Sequence, residues 1–107
     1  AIAEAARLAH DLTGLPVFVT ENGIATADDA RRIDYTRDAL RALHAEIEAG
    51  LPLIGYLHWS LLDNYEWGSF RPTFGLIAWD RETFERHPKP SLWWLGEVAK
   101  RNALELD

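Results

Sequence analysis

Apolar residues recur along the chain at two different spacings, which together predict three helices and two strands. Residues from Ile2 to Leu12 follow helical spacing, and Gly14 is a fitting C-terminal stop. A second helix is predicted from 29 to 49, and a third follows Ser91, its expected N-cap. The positions predicted to face the core on these last two helices are Ile33, Leu40, Leu43 and Ile47, and then Leu92, Leu95, Val98 and Ala99.

Two uninterrupted apolar runs predict the strands. Residues 16–20, PVFVT, are β-branched and aromatic, while residues 51–62, LPLIGYLHWSLL, lack the alternation of a half-exposed strand and are typical of a strand covered on both faces. One βαβ unit separates these runs, so the strands are predicted to be parallel. Residues 63–75 are predicted to form a long loop, GLIAW at 75–79 is compatible with a short extra strand, and His87 is assigned to a proline-flanked turn.

This order of elements indicates the α/β class but not a complete domain. Two parallel strands leave unpaired edges, and they leave apolar helix faces without cover. No linker or low-complexity segment divides the chain. The pattern therefore predicts that the chain is part of a larger α/β body.

Composition narrows the possible partners. The chain has 107 residues, of which 48% are apolar, and a net charge of −6, which argues against a nucleic-acid or acidic-membrane partner. The absence of cysteine excludes disulfides and zinc-thiolate sites, and we expect no cofactor or metal. No apolar run is long enough to cross a membrane and no signal-peptide pattern opens the chain, so a cytoplasmic location is expected. Since the chain lacks methionine and opens inside a helical pattern, its true start is expected elsewhere.

Polar side chains collect where the two predicted strands end. Glu21 and Asn22 follow the first strand, while Trp59, Glu66 and Trp67 follow the second. Because the carboxyl ends of parallel strands meet at one edge of a sheet, we expect these side chains to share one mouth. Indole faces stack on the apolar face of a pyranose, and carboxylates accept paired hydrogen bonds from neighbouring hydroxyls. The set therefore favours a sugar site.

Each of these residue types also has a purely structural interpretation. A single glutamate beside a strand is most often a solvated loop acid. We interpret Trp79, Trp93 and Trp94 as core residues, and His58 as a satisfied core histidine instead of a metal ligand. Two carboxylates about 5 Å apart are typical of a retaining glycosidase and a wider gap of an inverting one, while a third possibility is that one carboxylate reacts and the other only holds substrate.

Four motifs carry a resemblance to a known family. TENG at 20–23, GYLHWSLLDNYEW at 55–67, FGLIAWD at 74–80 and KPSLWW at 89–94 resemble the C-terminal quarter of a family 1 glycoside hydrolase, the β-glucosidase group. The resemblance covers nearly the whole chain. It implies that residues 1–107 are a C-terminal fragment of a catalytic domain with a partial (β/α)8 TIM barrel fold, in which the two predicted strands are the seventh and eighth.

The resemblance also implies roles for the residues at the strand ends. Glu21 would be the nucleophile that forms a covalent glycosyl-enzyme, and Asn22, beside it in the same motif, is counted with the substrate-binding residues. Glu66 would accept hydrogen bonds from two hydroxyls of the sugar in the −1 subsite, and Trp67 would bind a third. Trp59 would form the platform under that sugar.

Further features come from the same resemblance. The Trp59–Ser60 bond is expected to be a cis peptide, and Phe74 is expected to close the pocket near the exocyclic carbon of the sugar. The segment WGSFRPTF at 67–74 is one residue shorter than the family pattern. A phosphate dianion would be repelled by Glu66, so neutral β-glucosides, β-galactosides or β-fucosides are the expected substrates.

The chain lacks part of the machinery that the family uses. The acid/base glutamate lies in an NEP motif on the fourth strand, and no such motif occurs here. Expulsion of a sugar alkoxide needs a proton donor, so we expect the isolated chain to be inactive and its partner to be the missing N-terminal part of the barrel. The alternatives are a non-catalytic carbohydrate-binding remnant of the same fold and a structural fragment whose acids are merely solvated.

Overall fold

Three helices and two small sheets make up the described part of the chain. The computed structural model describes residues 1–104. In chain order the elements are α1 (Ile2–Thr13), β1 (Val17–Val19), α2 (Asp29–Glu48), β2 (Leu53–Tyr56), β3 (Ile77–Trp79), β4 (Arg86–Pro88) and α3 (Pro90–Arg101). The three predicted helices and the α/β class are confirmed. No helix within residues 1–104 combines the length and apolarity that a bilayer span requires.

The first sheet is the parallel pair that the sequence predicts, with α2 as the connection. β1 pairs with β2 in a register that places Val17 opposite Leu53 and Val19 opposite Tyr56. Both strands therefore end at the same edge, and the segments that follow them leave the sheet side by side.

The second predicted strand is much shorter than its apolar run. β2 covers only Leu53–Tyr56, so the prediction of one strand over 51–62 is wrong outside that range. The prediction that this strand is covered on both faces is also wrong, because Ile54 and Leu57 are 66% and 52% exposed. The physical reason is that both side chains line an open hollow between β2, α2 and α3, which the helices do not fill.

A second, antiparallel sheet follows the first along the chain. β3 confirms a short strand within residues 75–79, and Ala78 of β3 is opposite His87 of β4. The assignment of His87 to a turn is therefore wrong. Arg86–Pro88 is polar and contains a proline, so its sequence does not predict a strand, and in the structure all three residues are exposed.

The apolar core is small and lies between α1, α2 and the parallel pair. Its buried members are Ala3, Ala6, Val19, Leu43 and Leu51. Of the predicted core face of α2, Leu43 is confirmed, whereas Ile33 and Leu40 are half-buried and Ile47 is 43% exposed. The helix instead turns Arg32 and Thr36 inward.

The start of α3 differs from the prediction. Lys89 is the N-cap, Pro90 occupies the first turn, and Ser91 is buried inside the helix. The Ser91 hydroxyl donates to Asp29 Oδ1 at 2.7 Å and its N–H donates to Asp29 Oδ2 at 2.8 Å. Ser91 thus joins α3 to the first turn of α2.

The outward side of α3 carries residues that were expected inside. Trp93 is 66% exposed and Ala99 is exposed, so their assignment to the core is wrong. Trp94 is half-buried under the Arg37 guanidinium, which lies 5.3 Å from the ring centroid. Adjacent helical positions cannot both face inward, and the contact with Arg37 selects Trp94.

A buried arginine links the helices to the loops. Arg32 is 1% exposed, and its Nη1 donates to Asp29 Oδ1 at 2.6 Å. Its Nη2 donates to the carbonyl oxygens of Thr26 and Thr73, each at 2.5 Å. Thr26 belongs to the loop after β1 and Thr73 to the loop before β3, so one guanidinium holds both loops against α2.

Removal of Arg32 is expected to loosen this arrangement. Arg32→Met removes the buried ion pair with Asp29 and the guanidinium hydrogen bonds to two carbonyl oxygens, although Ser91 still donates to Asp29. The free energy of unfolding should therefore fall by about 3–5 kcal/mol. Chemical denaturation of the 107-residue chain measures the change. Lys100→Met is the control, because its ion pair with Glu97 is largely exposed, and a loss below about 1 kcal/mol is expected there. Equal losses in the two variants would contradict the role of Arg32.

Acid should weaken the same contact. Burial would raise the pKa of Asp29, but hydrogen bonds from Ser91 and Arg32 outweigh burial and lower this pKa below its ordinary value. The carboxylate therefore stabilises the fold at neutral pH, and this contribution is lost as pH falls through the lowered pKa. In denaturation curves recorded from about pH 5 to about pH 3, Asp29→Asn should lose less stability than the wild type. Asp34→Asn, an exposed carboxyl on the same helix, should follow the wild-type curve.

Candidate active site

A hollow of about 580 Å³ lies beyond the carboxyl ends of β1 and β2. All six residues singled out from the sequence line it, namely Glu21, Asn22, Trp59, Glu66, Trp67 and Phe74. Gly23 and Tyr65 complete the lining and were not identified beforehand, although each belongs to a motif that contains a candidate. The structure therefore brings the two glutamates and two indoles to one site, as strand-end reasoning requires.

Backbone hydrogen bonds extend the pairing of the strands into the hollow. Leu57 N–H donates to Val19 O at 2.8 Å, and Trp59 N–H donates to Asn22 O at 2.9 Å. Glu21 lies between these two links. Its side chain is exposed, and within residues 1–104 its carboxylate has no hydrogen-bond or ion-pair partner. The direction of Glu21 is thus set by its backbone.

Gly23 allows the two strand ends to approach each other. A Cβ atom at this position would lie 1.9 Å from the carbonyl oxygen of Trp59, far inside van der Waals contact. The glycine of TENG is therefore required by the close passage of the two chains, which places Trp59 next to Glu21.

Glu66 is held by the indole that shares its site. Its side chain is buried, with the residue 8% exposed, and Oε1 accepts a hydrogen bond from Trp59 Nε1 at 2.9 Å. One carboxylate oxygen is thereby occupied, and within the described chain the other has no partner. Such a carboxylate can accept from a ligand hydroxyl without leaving its protein contact.

A tight turn presents Trp67 at the rim. Glu66 N–H donates to Ser69 O at 2.7 Å, and Ser69 N–H donates to Glu66 O at 3.1 Å. The two central residues, Trp67 and Gly68, have φ of +49° and +96°, the signs of a type I′ hairpin turn. For a bulky residue this left-handed conformation costs about 1–2 kcal/mol. The turn leaves the Trp67 side chain fully exposed.

Backbone hydrogen bonds hold together the two segments that flank this turn, residues 59–60 and 74–76. The Trp59–Ser60 peptide is cis, as the resemblance implied. Ser60 N–H donates to Phe74 O at 3.3 Å, and Leu76 N–H donates to Ser60 O at 3.0 Å. These bonds place Phe74 at the hollow.

Asp63 anchors the loop that carries Glu66. Its carboxylate accepts from Lys89 Nζ at 3.0 and 3.2 Å and from Gly75 N–H at 2.7 Å, and its carbonyl accepts from Trp79 Nε1 at 2.5 Å. Asp63 thus joins both ends of the loop, residues 63–75, to the start of α3. In the sequence, the importance of Asp63 is indicated by its position in DNYEW, the motif that also contains Glu66.

His58 is more weakly satisfied than expected. Its Nδ1 lies 3.4 Å from the Tyr56 hydroxyl, while its buried Nε2 has no partner among residues 1–104, so the interpretation as a satisfied core histidine is wrong in that respect. Burial and then the charge of Arg32 lower the pKa of His58, which favours the neutral ring. Within the described residues, no cluster of three or more His, Asp or Glu side chains could hold a metal ion.

Comparison with known proteins decides the family. The model described as Glycosyl hydrolase family 1 matches residues 4–104. The chain belongs to this family. The proteins that it matches are several-fold longer.

Three similar proteins illustrate the likeness. Thermostable beta-glucosidase B of Thermobispora bispora is 40% identical over 106 residues, which cover 92% of this chain and 22% of that protein. The apo structure of beta-glucosidase 1317 is 50% identical with a TM-score of 0.92, covering 98% of this chain and 26% of that one. The beta-glucosidase from Thermotoga maritima in complex with deoxynojirimycin is 34% identical with a TM-score of 0.93, covering 98% and 27%. The chain thus spans about a quarter of the proteins it matches.

Addition of a single methyl group should test the close passage at Gly23. We expect Gly23→Ala to reduce the free energy of unfolding by about 1–3 kcal/mol, because the new Cβ overlaps the Trp59 carbonyl. Gly96→Ala is a matched control: a Cβ there meets nothing within 4 Å, and alanine should stabilise α3 by up to about 1 kcal/mol. Urea denaturation of both variants gives the comparison. If Gly23→Ala is as stable as Gly96→Ala, the strand ends are further apart than described.

Proposed function

We propose that this chain supplies the nucleophile half of the active site of a retaining β-glycosidase. In this proposal it is the C-terminal portion of a (β/α)8 barrel, with β1 and β2 as the seventh and eighth strands. Family membership and TM-scores of 0.92 and 0.93 to β-glucosidases support the barrel. The observation that carries the proposal is the hollow shared by Glu21, Trp59, Glu66 and Trp67.

The contacts of the two glutamates favour a division of roles. Glu66 is buried and hydrogen-bonded to Trp59 Nε1, so it suits an acceptor for sugar hydroxyls. Glu21 is exposed at the hollow with no partner among residues 1–104, so its oxygens are accessible to an anomeric carbon. We therefore assign the nucleophile to Glu21 and the grip on the −1 sugar to Glu66, with Trp59 as platform, Trp67 as a second hydroxyl contact and Phe74 as the closing wall.

The reaction would proceed by double displacement. A Glu21 carboxylate oxygen attacks the anomeric carbon, the bond to the aglycone oxygen breaks, and a covalent glycosyl ester forms on Glu21. The departing oxygen takes a proton from a general acid, and the same group later removes a proton from the water that hydrolyses the ester. Glu21 and Glu66 are the only carboxyl groups lining the described hollow, so the acid comes from the rest of the barrel.

The charge of the hollow supports a neutral substrate. Glu66 lies where a sugar would be held, and its carboxylate disfavours a phosphorylated ring. The Thermotoga maritima relative is solved with the small molecule deoxynojirimycin, which supports a small-molecule sugar as ligand. We propose terminal β-glucosides as substrates, with β-galactosides and β-fucosides as compatible rings.

A non-catalytic sugar-binding remnant is the second candidate. The observation in its favour is that the described hollow holds three binding groups, Trp59, Glu66 and Trp67, but lacks a separate proton donor. Covalent labelling of Glu21 distinguishes the two candidates, because only the enzyme forms a glycosyl ester there.

A chimera provides the test. Residues 4–104 replace the matched segment of the Thermotoga maritima beta-glucosidase, and hydrolysis of an aryl β-glucoside is measured. We expect turnover, a fall of roughly 10⁴-fold or more in kcat for Glu21→Gln, and covalent labelling of Glu21 by a 2-fluoro-glycoside inactivator. Glu66→Gln should keep the labelling site but weaken sugar binding. The isolated 107-residue chain should show no turnover.

Controls make the outcome decisive. Glu97→Gln removes an exposed glutamate of α3 and should leave kcat unchanged. Labelling at Glu66, or binding of sugar with no labelling of Glu21, would contradict the proposed nucleophile. Turnover by the isolated chain that depends on Glu21 would show that it needs no partner.

A further inference from the structure

Asn22 is bound by two tyrosines from different elements. Its Nδ2 donates to the hydroxyl of Tyr56, at the end of β2, at 3.0 Å. Its Oδ1 accepts from the hydroxyl of Tyr35, on α2, at 3.3 Å. Both ends of the amide are therefore engaged by protein, although the side chain borders the hollow.

The backbone of Asn22 is fixed as well. Its carbonyl oxygen accepts from Trp59 N–H at 2.9 Å, and the Tyr56 hydroxyl lies 3.4 Å from the same oxygen. Burial raises the pKa of Tyr56, so its phenol stays protonated at neutral pH and keeps a hydrogen to donate. Asn22 thus connects the end of β1, the end of β2 and α2 at one residue.

Glu21 needs such an anchor because no side chain among residues 1–104 holds its carboxylate. It follows a three-residue strand, it is exposed, and its carboxylate has no partner among residues 1–104. A catalytic group must be held within about 0.5 Å of its productive position, and an error of about 1 Å can reduce the rate roughly 100-fold. The residue next to Glu21 is the first place from which its direction can be controlled.

We propose that Asn22 is a positioning residue for Glu21 and Trp59, acting through Tyr35 and Tyr56, and that it is not a ligand of the sugar. This inference rests on the proposed function and alters the expected role of Asn22. It also adds Tyr35, which does not line the hollow, to the groups on which the reaction depends.

The active chimera tests this proposal by separating rate from binding. Asn22→Ala and Tyr35→Phe should each lower kcat, by roughly tenfold to a hundredfold for Asn22→Ala, with KM changed less than about twofold. The double variant should be no slower than Asn22→Ala alone, since both changes break one connection. Asp38→Asn, an exposed change on α2, should leave both constants unchanged.

Other outcomes identify which idea is wrong. If Asn22→Ala raises KM at constant kcat while Tyr35→Phe has no effect, Asn22 is a sugar ligand and the positioning proposal is overturned. If Glu21→Gln remains active, the proposed function itself fails, whatever Asn22 does. These results are independent, because Glu21→Gln is measured with Asn22 intact.

A measurement on the 107-residue chain covers the case in which a variant chimera does not fold. The side-chain amide signals of Asn22 and the backbone N–H signal of Trp59 are followed by NMR. Tyr35→Phe should shift the Asn22 amide signals and speed hydrogen exchange at Trp59 N–H, while Asp38→Asn should do neither. Unchanged spectra in Tyr35→Phe would overturn the proposal without any activity assay.

Discussion

The contact of Arg32 with Asp29 is the interaction on which the rest of the structure depends. A guanidinium taken out of water must be paired and hydrogen-bonded, or the fold loses several kcal/mol. Here its partners belong to α2 and to the two loops that approach the hollow, and Asp29 extends the connection to Ser91 on α3. The apolar core includes no residue of these two loops, and the polar cluster around Arg32 holds them to α2.

Around the site, the side chains exposed to solvent and the residues that hold the structure in place are different ones. Glu21 and Trp67 are exposed. The groups behind them are buried or engaged, as with Asp63, which holds Lys89 and Gly75, and Asn22, which holds two tyrosines. The side chains proposed to react with the sugar and to bind it thus need no internal partners of their own, because neighbouring residues in the chain hold their backbone in place.

Local patterns predicted the elements, while tertiary contacts decided the exceptions. Helical spacing located all three helices, and the strand-end rule together with the motifs brought Glu21 and Glu66 to one hollow. The burial of Arg32 could not be predicted from the sequence, because a charged residue on a helix normally faces the solvent. Ser91 was predicted to be a cap, but it lies inside the helix and binds Asp29. Ile54 was predicted to be covered, but it is 66% exposed.

The left-handed backbone at Trp67 sets two requirements against each other. The turn favours a small residue, whereas the rim of the hollow carries an indole. Glycine or asparagine would fit φ of +49° with less strain, and either would remove the indole from the rim of the hollow. Selection for thermostability in the absence of sugar would therefore favour small residues at this turn. Stability gained in that way would remove the sugar contact proposed for Trp67, so such a selection has to include a test of ligand binding.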